Sequence, residues 1–109
     1  MISIPDIARE RGIEEEYILE FLQEFYTYTM NSDFPGLRQA IEEANLAFAA
    51  ERAHSIKGAA QNLMLDDIGE CAEKIVSKCR AGESTGLHQL ADSLEQHITV
   101  LGVFLTRIS

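Results

Sequence analysis

The sequence predicts an all-α fold: an antiparallel four-helix bundle with a short extra helix at its N-terminus. Three observations lead there. Apolar residues recur at alternating spacings of three and four, strand-like alternation is absent, and capping residues and glycines cut the chain into helix-length segments. With 109 residues the chain (1–109) is expected to be a single domain, with no room for a second core.

Taken in order, the first helix runs from about Pro5 to Arg11 within an N-terminal unit 1–12, capped by Ser3 and ended by Gly12. A second is expected from Glu14 to Met30, with Ile18, Phe21, Leu22 and Phe25 on one face. Asn31-Ser32-Asp33 should break it. Asp33 would then cap a third helix that tolerates Pro35 in its first turn, carries Leu37 and Ile41 inward and loosens at Asn45. The fourth, Leu46 to about Leu63, has an inward row of Leu46, Ala49, Ala53, Ile56, Ala60 and Leu63. Asp66-Asp67 opens the fifth at its positive end, with Leu65, Ile68, Ala72, Ile75 and Cys79 inward and Gly82 closing it. The last, about Leu87 to Ile108, repeats the pattern with Leu90, Leu94, Ile98, Leu101, Leu105 and Ile108. Whether residues 33–63 count as one helix or two decides the count.

Composition excludes several functions. A net charge of −9 argues against nucleic acid and against anionic lipid, since both are held mainly by Lys and Arg. Residues 1–43 hold ten acids and only Arg9, Arg11 and Arg38, whereas 52–80 hold five of the nine bases. A negative partner would be met there. No apolar run is long enough to span a bilayer, and MISIPDIARERG places charges where a secretion signal needs apolar residues, so a cytoplasmic protein is expected. Cys71 and Cys79, eight residues apart on one helix, are separated by about 12 Å of rise. A disulfide needs about 7 Å, so reduced, partly buried thiols are expected. Two cysteines on one helix also make no zinc site, and neither metal nor cofactor is expected.

One surface does not read as scaffold. Roughly opposite the inward row of the 46–63 helix lie His54, Lys57, Gly58 and Gln61, with Ala47 and Ala50 earlier on the same face. Glycine inside a helix costs about 1 kcal/mol relative to alanine. That cost makes sense if a partner must approach closely beside His54, and Ala47 and Ala50 fit the same docking requirement. A neutral imidazole is nucleophilic near physiological pH, and Lys57 is a compact cation able to follow a phosphoryl group. The chain has no phosphate loop, nucleotide motif or Mg²⁺ carboxylate set, so the metal and most of the catalysis would have to come from a partner.

Ala53-His54-Ser55-Ile56-Lys57-Gly58-Ala59-Ala60 closely resembles the signature of histidine-phosphotransfer (HPt) domains, His-x-(Leu/Ile)-Lys-Gly followed by small residues. The likeness covers about residues 34–108 in helix order and apolar spacing. It implies an HPt four-helix bundle in which His54 carries the phosphoryl group of a phosphorelay. A receiver-domain phosphoaspartate or a histidine or hybrid kinase would be the donor, and another response-regulator receiver the acceptor. By the same resemblance Lys57 stabilises the phosphoryl group, Gly58 gives access, and Arg80 falls where some relatives carry an arginine near the phosphohistidine. Two positions depart from the family pattern. Met64 stands where relatives usually have glycine, and Val76 stands where many have a Gln or Glu bonded to the histidine. Gln61 is the candidate substitute.

Plainer readings apply to the other candidates. His88 and His97 are ordinary helix histidines, Lys74 and Lys78 solvate their helix, and Phe21, Phe25, Tyr26 and Tyr28 belong to core and helix packing. Besides a monomeric phosphocarrier, the chain is compatible with a module of the same fold that binds a receiver or kinase without relaying phosphate. An enzyme or metal protein combining His54 with a cysteine is the third reading.

Overall fold

The computed structural model describes residues 2–108. Met1 and Ser109, which close the expected 1–109 domain, lie outside the described residues. Among the described residues there are six α-helices: α1 (Ile4–Arg11), α2 (Glu15–Tyr28), α3 (Phe34–Glu42), α4 (Leu46–Asn62), α5 (Asp66–Arg80) and α6 (Leu87–Ile108). A π-turn, Thr29–Asp33, joins α2 to α3. The two run on as one rod, so the bundle consists of α2–α3, α4, α5 and α6, with α1 as the extra N-terminal helix.

The expected break at 31–33 is therefore absent, and the cause is chemical. Pro35 has no N–H to give to a carbonyl four residues back, and its ring crowds that carbonyl. Widening the turn removes the conflict. Phe34 donates its N–H to the Thr29 carbonyl five residues back, and helical backbone continues through the proline. Asp33 does not cap a helix. It has helical dihedrals, makes no capping bond and is 3% exposed.

The real break lies between α3 and α4. There the Ala44 N–H reaches the Ile41 carbonyl and the Asn45 N–H reaches that of Ala40, with Ala44 in the left-handed region at φ 56°. Asn45 then caps α4 by accepting from the Phe48 N–H at 3.1 Å. The same closing pattern ends α4, with Met64 at φ 57°, and α5, with Gly82 at φ 75°. A glycine, which the resemblance leads one to expect at position 64, would meet without strain the left-handed conformation that Met64 adopts.

The core runs the length of the bundle. Ile18 and Leu22 of α2, Leu37 of α3, Ile56 of α4, Ile75 of α5 and Leu94, Ile98 and Leu101 of α6 are fully buried. Such a side chain contributes about 1.5–3 kcal/mol by leaving water. α4 offers mostly small residues, with Ala49, Ala53 and Ala60 fully buried, and α5 packs close against it. Leu46, at the start of the expected inward row, is only half-buried, and Ile108, at the end of the α6 row, is exposed. α1 packs against α2, and its last residue reaches the far end of α4. Arg11 donates to the carbonyls of Asn62 and Gln61, both at 2.9 Å, and neutralises the negative end of the helix that carries His54.

Candidate functional site

His54 lies midway along α4, exposed, and its imidazole has no hydrogen-bond or ion-pair partner among the described residues. Its helix is anchored on both sides. The row Ala53, Ile56 and Ala60 sits in the core, which fixes the opposite face toward solvent. Gly58, one turn after His54, is half-buried, and a Cβ built there would meet no atom within 4 Å. No neighbouring helix demands a glycine at 58. The space it leaves is open to the outside.

Lys57 also lies one turn after His54, but it is not free. Its ammonium is 2.6 Å from Oε2 of Glu73 on α5. Glu73 in turn accepts from the Ser77 hydroxyl at 3.3 Å, and the Lys57 bond holds its carboxyl below the usual carboxylate range. The antiparallel register that sets Lys57 opposite Glu73 also sets Gln61 and Ala60 opposite Gly69. Continued the other way, it brings Ser77 and Arg80 toward the level of His54 and Ala50. Arg80 is exposed at the last turn of α5, and its charge reaches Glu73.

On the other flank stands a network that sequence reasoning missed. The buried Asp33 carboxylate accepts from Arg52 at 3.1 Å and from Ser55 at 2.8 Å. Arg52 also stacks on Phe48, 4.7 Å from the ring centroid, and its stem packs over Gly36. Two residues adjacent to or near His54 are thereby tied to the π-turn. No signal in the sequence marks Asp33 for this role, because only the unbroken rod turns it toward α4.

Several expected site residues are placed otherwise. Ala47 is exposed, as the expected docking role requires, but Ala50 is buried at 9% exposure because α4 leans that edge onto its neighbours. Gln61 is not brought to His54. The two lie about 10 Å apart along the helix axis, the Gln61 stem lies against Gly69, and its backbone carbonyl receives Arg11. Val76 is fully buried, so α5 presents no polar side chain to the imidazole from that position. Of the aromatic set Phe25 lies in the core and Tyr26 packs against it. Phe21 and Tyr28 are 40% and 56% exposed and border a groove between α2 and α4, with Ser55 and Ala59 on its far wall.

Cys71 and Cys79 are free, buried thiols, and burial pushes both pKa values up. Among the described residues no group of three or more His, Cys, Asp or Glu side chains could hold a metal ion. Nor, among the described residues, is any helix long and apolar enough to cross a membrane.

Among known protein families, the model described as Hpt domain matches residues 18–102, from α2 into α6. No curated protein and no solved structure matches the chain.

Proposed function

The chain belongs to the Hpt domain family, whose members carry phosphoryl groups in two-component signalling, and from that membership we propose that it is a phosphorelay intermediate with His54 as the acceptor. The family implies receiver domains and kinases as partners, and a phosphocarrier rather than an enzyme. The observation that carries the site assignment is the pairing of a free, exposed His54 imidazole with the open space over Gly58.

In this reading a ring nitrogen of neutral His54 attacks the phosphorus of a receiver phosphoaspartate in line. The N–P bond forms, the acyl P–O bond breaks, and the aspartate leaves with the electron pair. The receiver supplies the metal ion and most of the catalysis, since phosphoryl transfer asks chiefly for positioning and charge neutralisation. Reversing the same step on a second receiver completes the relay. The receiver docks over Ala47 and Gly58, with the exposed Phe21 and Tyr28 beside it. Lys57 and Arg80 are the cations available to the phosphoryl group. An acidic monomer in the cytoplasm that binds neither nucleic acid nor membrane fits the net charge of −9.

Burial of Val76 favours one competing reading, a module that binds receivers without relaying phosphate, because it leaves the second imidazole nitrogen without a partner from α5. Met64 does not favour it, since its departure from the family concerns backbone conformation at the end of α4. Incubation with a phosphorylated receiver separates the two. Acid-labile label on His54 is expected. A receiver complex that forms while His54 stays unlabelled would establish the binding module instead.

A further inference from the structure

Glu73 has no part in the phosphotransfer signature, yet it contacts the one cation beside His54 that the signature supplies. Lys57 and Glu73 meet at 2.6 Å, and Ser77 from the next turn of α5 fixes the other carboxylate oxygen. Lys57 is 24% exposed, so its stem lies along the helix surface and its ammonium is turned toward α5. Residues three apart on a helix hold their Cβ atoms about 5–6 Å apart. The lysine stem is therefore long enough to serve either Glu73 or a phosphoryl group on His54, and these two anions draw on one ammonium.

Resting on the phosphorelay reading above, we propose that Glu73 is a positioning residue: it competes with the phosphoryl group on His54 for the Lys57 ammonium and thereby keeps that group easy to give away. The chemistry gives the sign. When the N–P bond breaks, the leaving imidazole takes the electron pair and the phosphoryl group loses negative charge toward a metaphosphate-like transition state. A cation fully committed to the phosphoryl oxygens stabilises the starting state more than this transition state and slows release. An acid that draws the cation away has the opposite effect. In hydrolysis the oxygen of water takes the phosphorus as the N–P bond breaks, giving inorganic phosphate and free His54. Glu73 would thus favour a carrier over a store.

The test uses the whole chain phosphorylated with phosphoramidate, freed of donor and followed by ³¹P NMR. It is run on wild type, Glu73→Gln, Lys57→Ala and the double variant. Glu73→Gln is expected to lengthen the phosphohistidine half-life roughly two- to fivefold, the range of a partly exposed ion pair. It should also lower the pH at which the ³¹P shift titrates, which a purely structural residue would not move. In the Lys57→Ala background the same substitution should have less than half that effect. A shorter half-life in Glu73→Gln would mean that Glu73 aims Lys57 at the phosphoryl group, and the proposal would be overturned. An equal effect with and without Lys57 would show direct repulsion and overturn it as well. A chain that phosphoramidate cannot label on His54 overturns both this proposal and the function. One that is labelled yet takes nothing from a phosphorylated receiver overturns the relay alone, and the half-lives still decide the role of Glu73.

Discussion

Ser55, the residue after His54, donates its hydroxyl proton to the buried carboxylate of Asp33 at 2.8 Å, fastening the middle of α4 to the π-turn between α2 and α3. The other Asp33 oxygen is held by Arg52, and only 4% of the Asp33 side chain meets solvent. The site helix is therefore set in place by charge as well as by apolar packing.

Removing that carboxylate should cost stability. Asp33→Ala leaves Ser55 and Arg52 without their partner and is expected to destabilise by about 2–3 kcal/mol, the range for hydrogen bonds to a charged group. Arg52 is 31% exposed and can recover water, which keeps the loss below that of a fully buried pair. Ser55→Ala should cost only about 1 kcal/mol. Urea unfolding of both variants measures this, and an Asp33→Ala loss no larger than that of Ser55→Ala would show that the Arg52 pair contributes nothing.

His54→Gln should leave the fold intact and abolish phosphate uptake from a phosphorylated receiver. The side chain is exposed and touches no partner, so its removal should change stability by no more than about 0.5 kcal/mol. Uptake at the wild-type rate would move the acceptor elsewhere. A cooperative melt lost at ordinary temperature would show that the imidazole faces the core.

Much of this arrangement was legible in the sequence, and each miss has its own physical cause. The inward row of α5, the caps at Ser3 and Gly12 and the exposure of His54 follow from helical spacing, which any long amphipathic helix obeys. Asn31-Ser32-Asp33 misled because turn-forming residues ahead of a proline usually stop a helix, and one widened turn was enough to carry it through. Ala50 misled because alanine fits an exposed face and a buried one equally well. The partners of Lys57 and Asp33 lie on other helices, and one helix's periodicity says nothing about the register of the next.

The left-handed residues that end α3 and α4 offer a stabilising change. Ala44 adopts φ 56° on the surface with no side-chain packing at stake, so Ala44→Gly is expected to raise stability by about 0.5–1 kcal/mol. Gly82→Ala, at φ 75°, should lower it by about 1 kcal/mol. Met64→Gly would gain on backbone but lose a half-buried side chain, so Ala44 is the cleaner site. Thermal melts of Ala44→Gly and Gly82→Ala that shift in the same direction would refute the conformational account.

Gly102 of α6 is kept small for a different reason. A Cβ there would sit 2.7 Å from the ring and hydroxyl of Tyr26, so α2 packs its tyrosine directly over the α6 backbone. Gly102→Ala should destabilise by about 1–2 kcal/mol, because displacing the ring outweighs the roughly 1 kcal/mol gained in helix propensity. In a Tyr26→Ala background the sign should reverse, since only the propensity gain then remains. Chemical denaturation of the four proteins gives the answer, and a loss of equal size in both backgrounds would exclude Tyr26 as the obstacle.

Gly58 presents the opposite case, and the contrast makes the access argument testable. Its Cβ position meets nothing within 4 Å, so no internal contact penalises a first side-chain carbon there. Gly58→Leu should gain roughly 0.5–1 kcal/mol of helix propensity and raise the melting temperature. The same leucine, one turn from His54, would stand where, in the proposed relay, a receiver brings its phosphoaspartate into line with the imidazole. Catalysis here rests on positioning, and a displacement of about 1 Å can cost on the order of a hundredfold in rate. The expected signature is a more stable protein that transfers phosphate far more slowly, read from a melting curve and phosphotransfer kinetics on one preparation. Gly58→Ala, with a single methyl group, should gain at least as much stability and lose much less rate. A lowered melting temperature in Gly58→Leu would mean that the glycine packs against a neighbour. An unchanged transfer rate would place receiver docking on another face of the bundle.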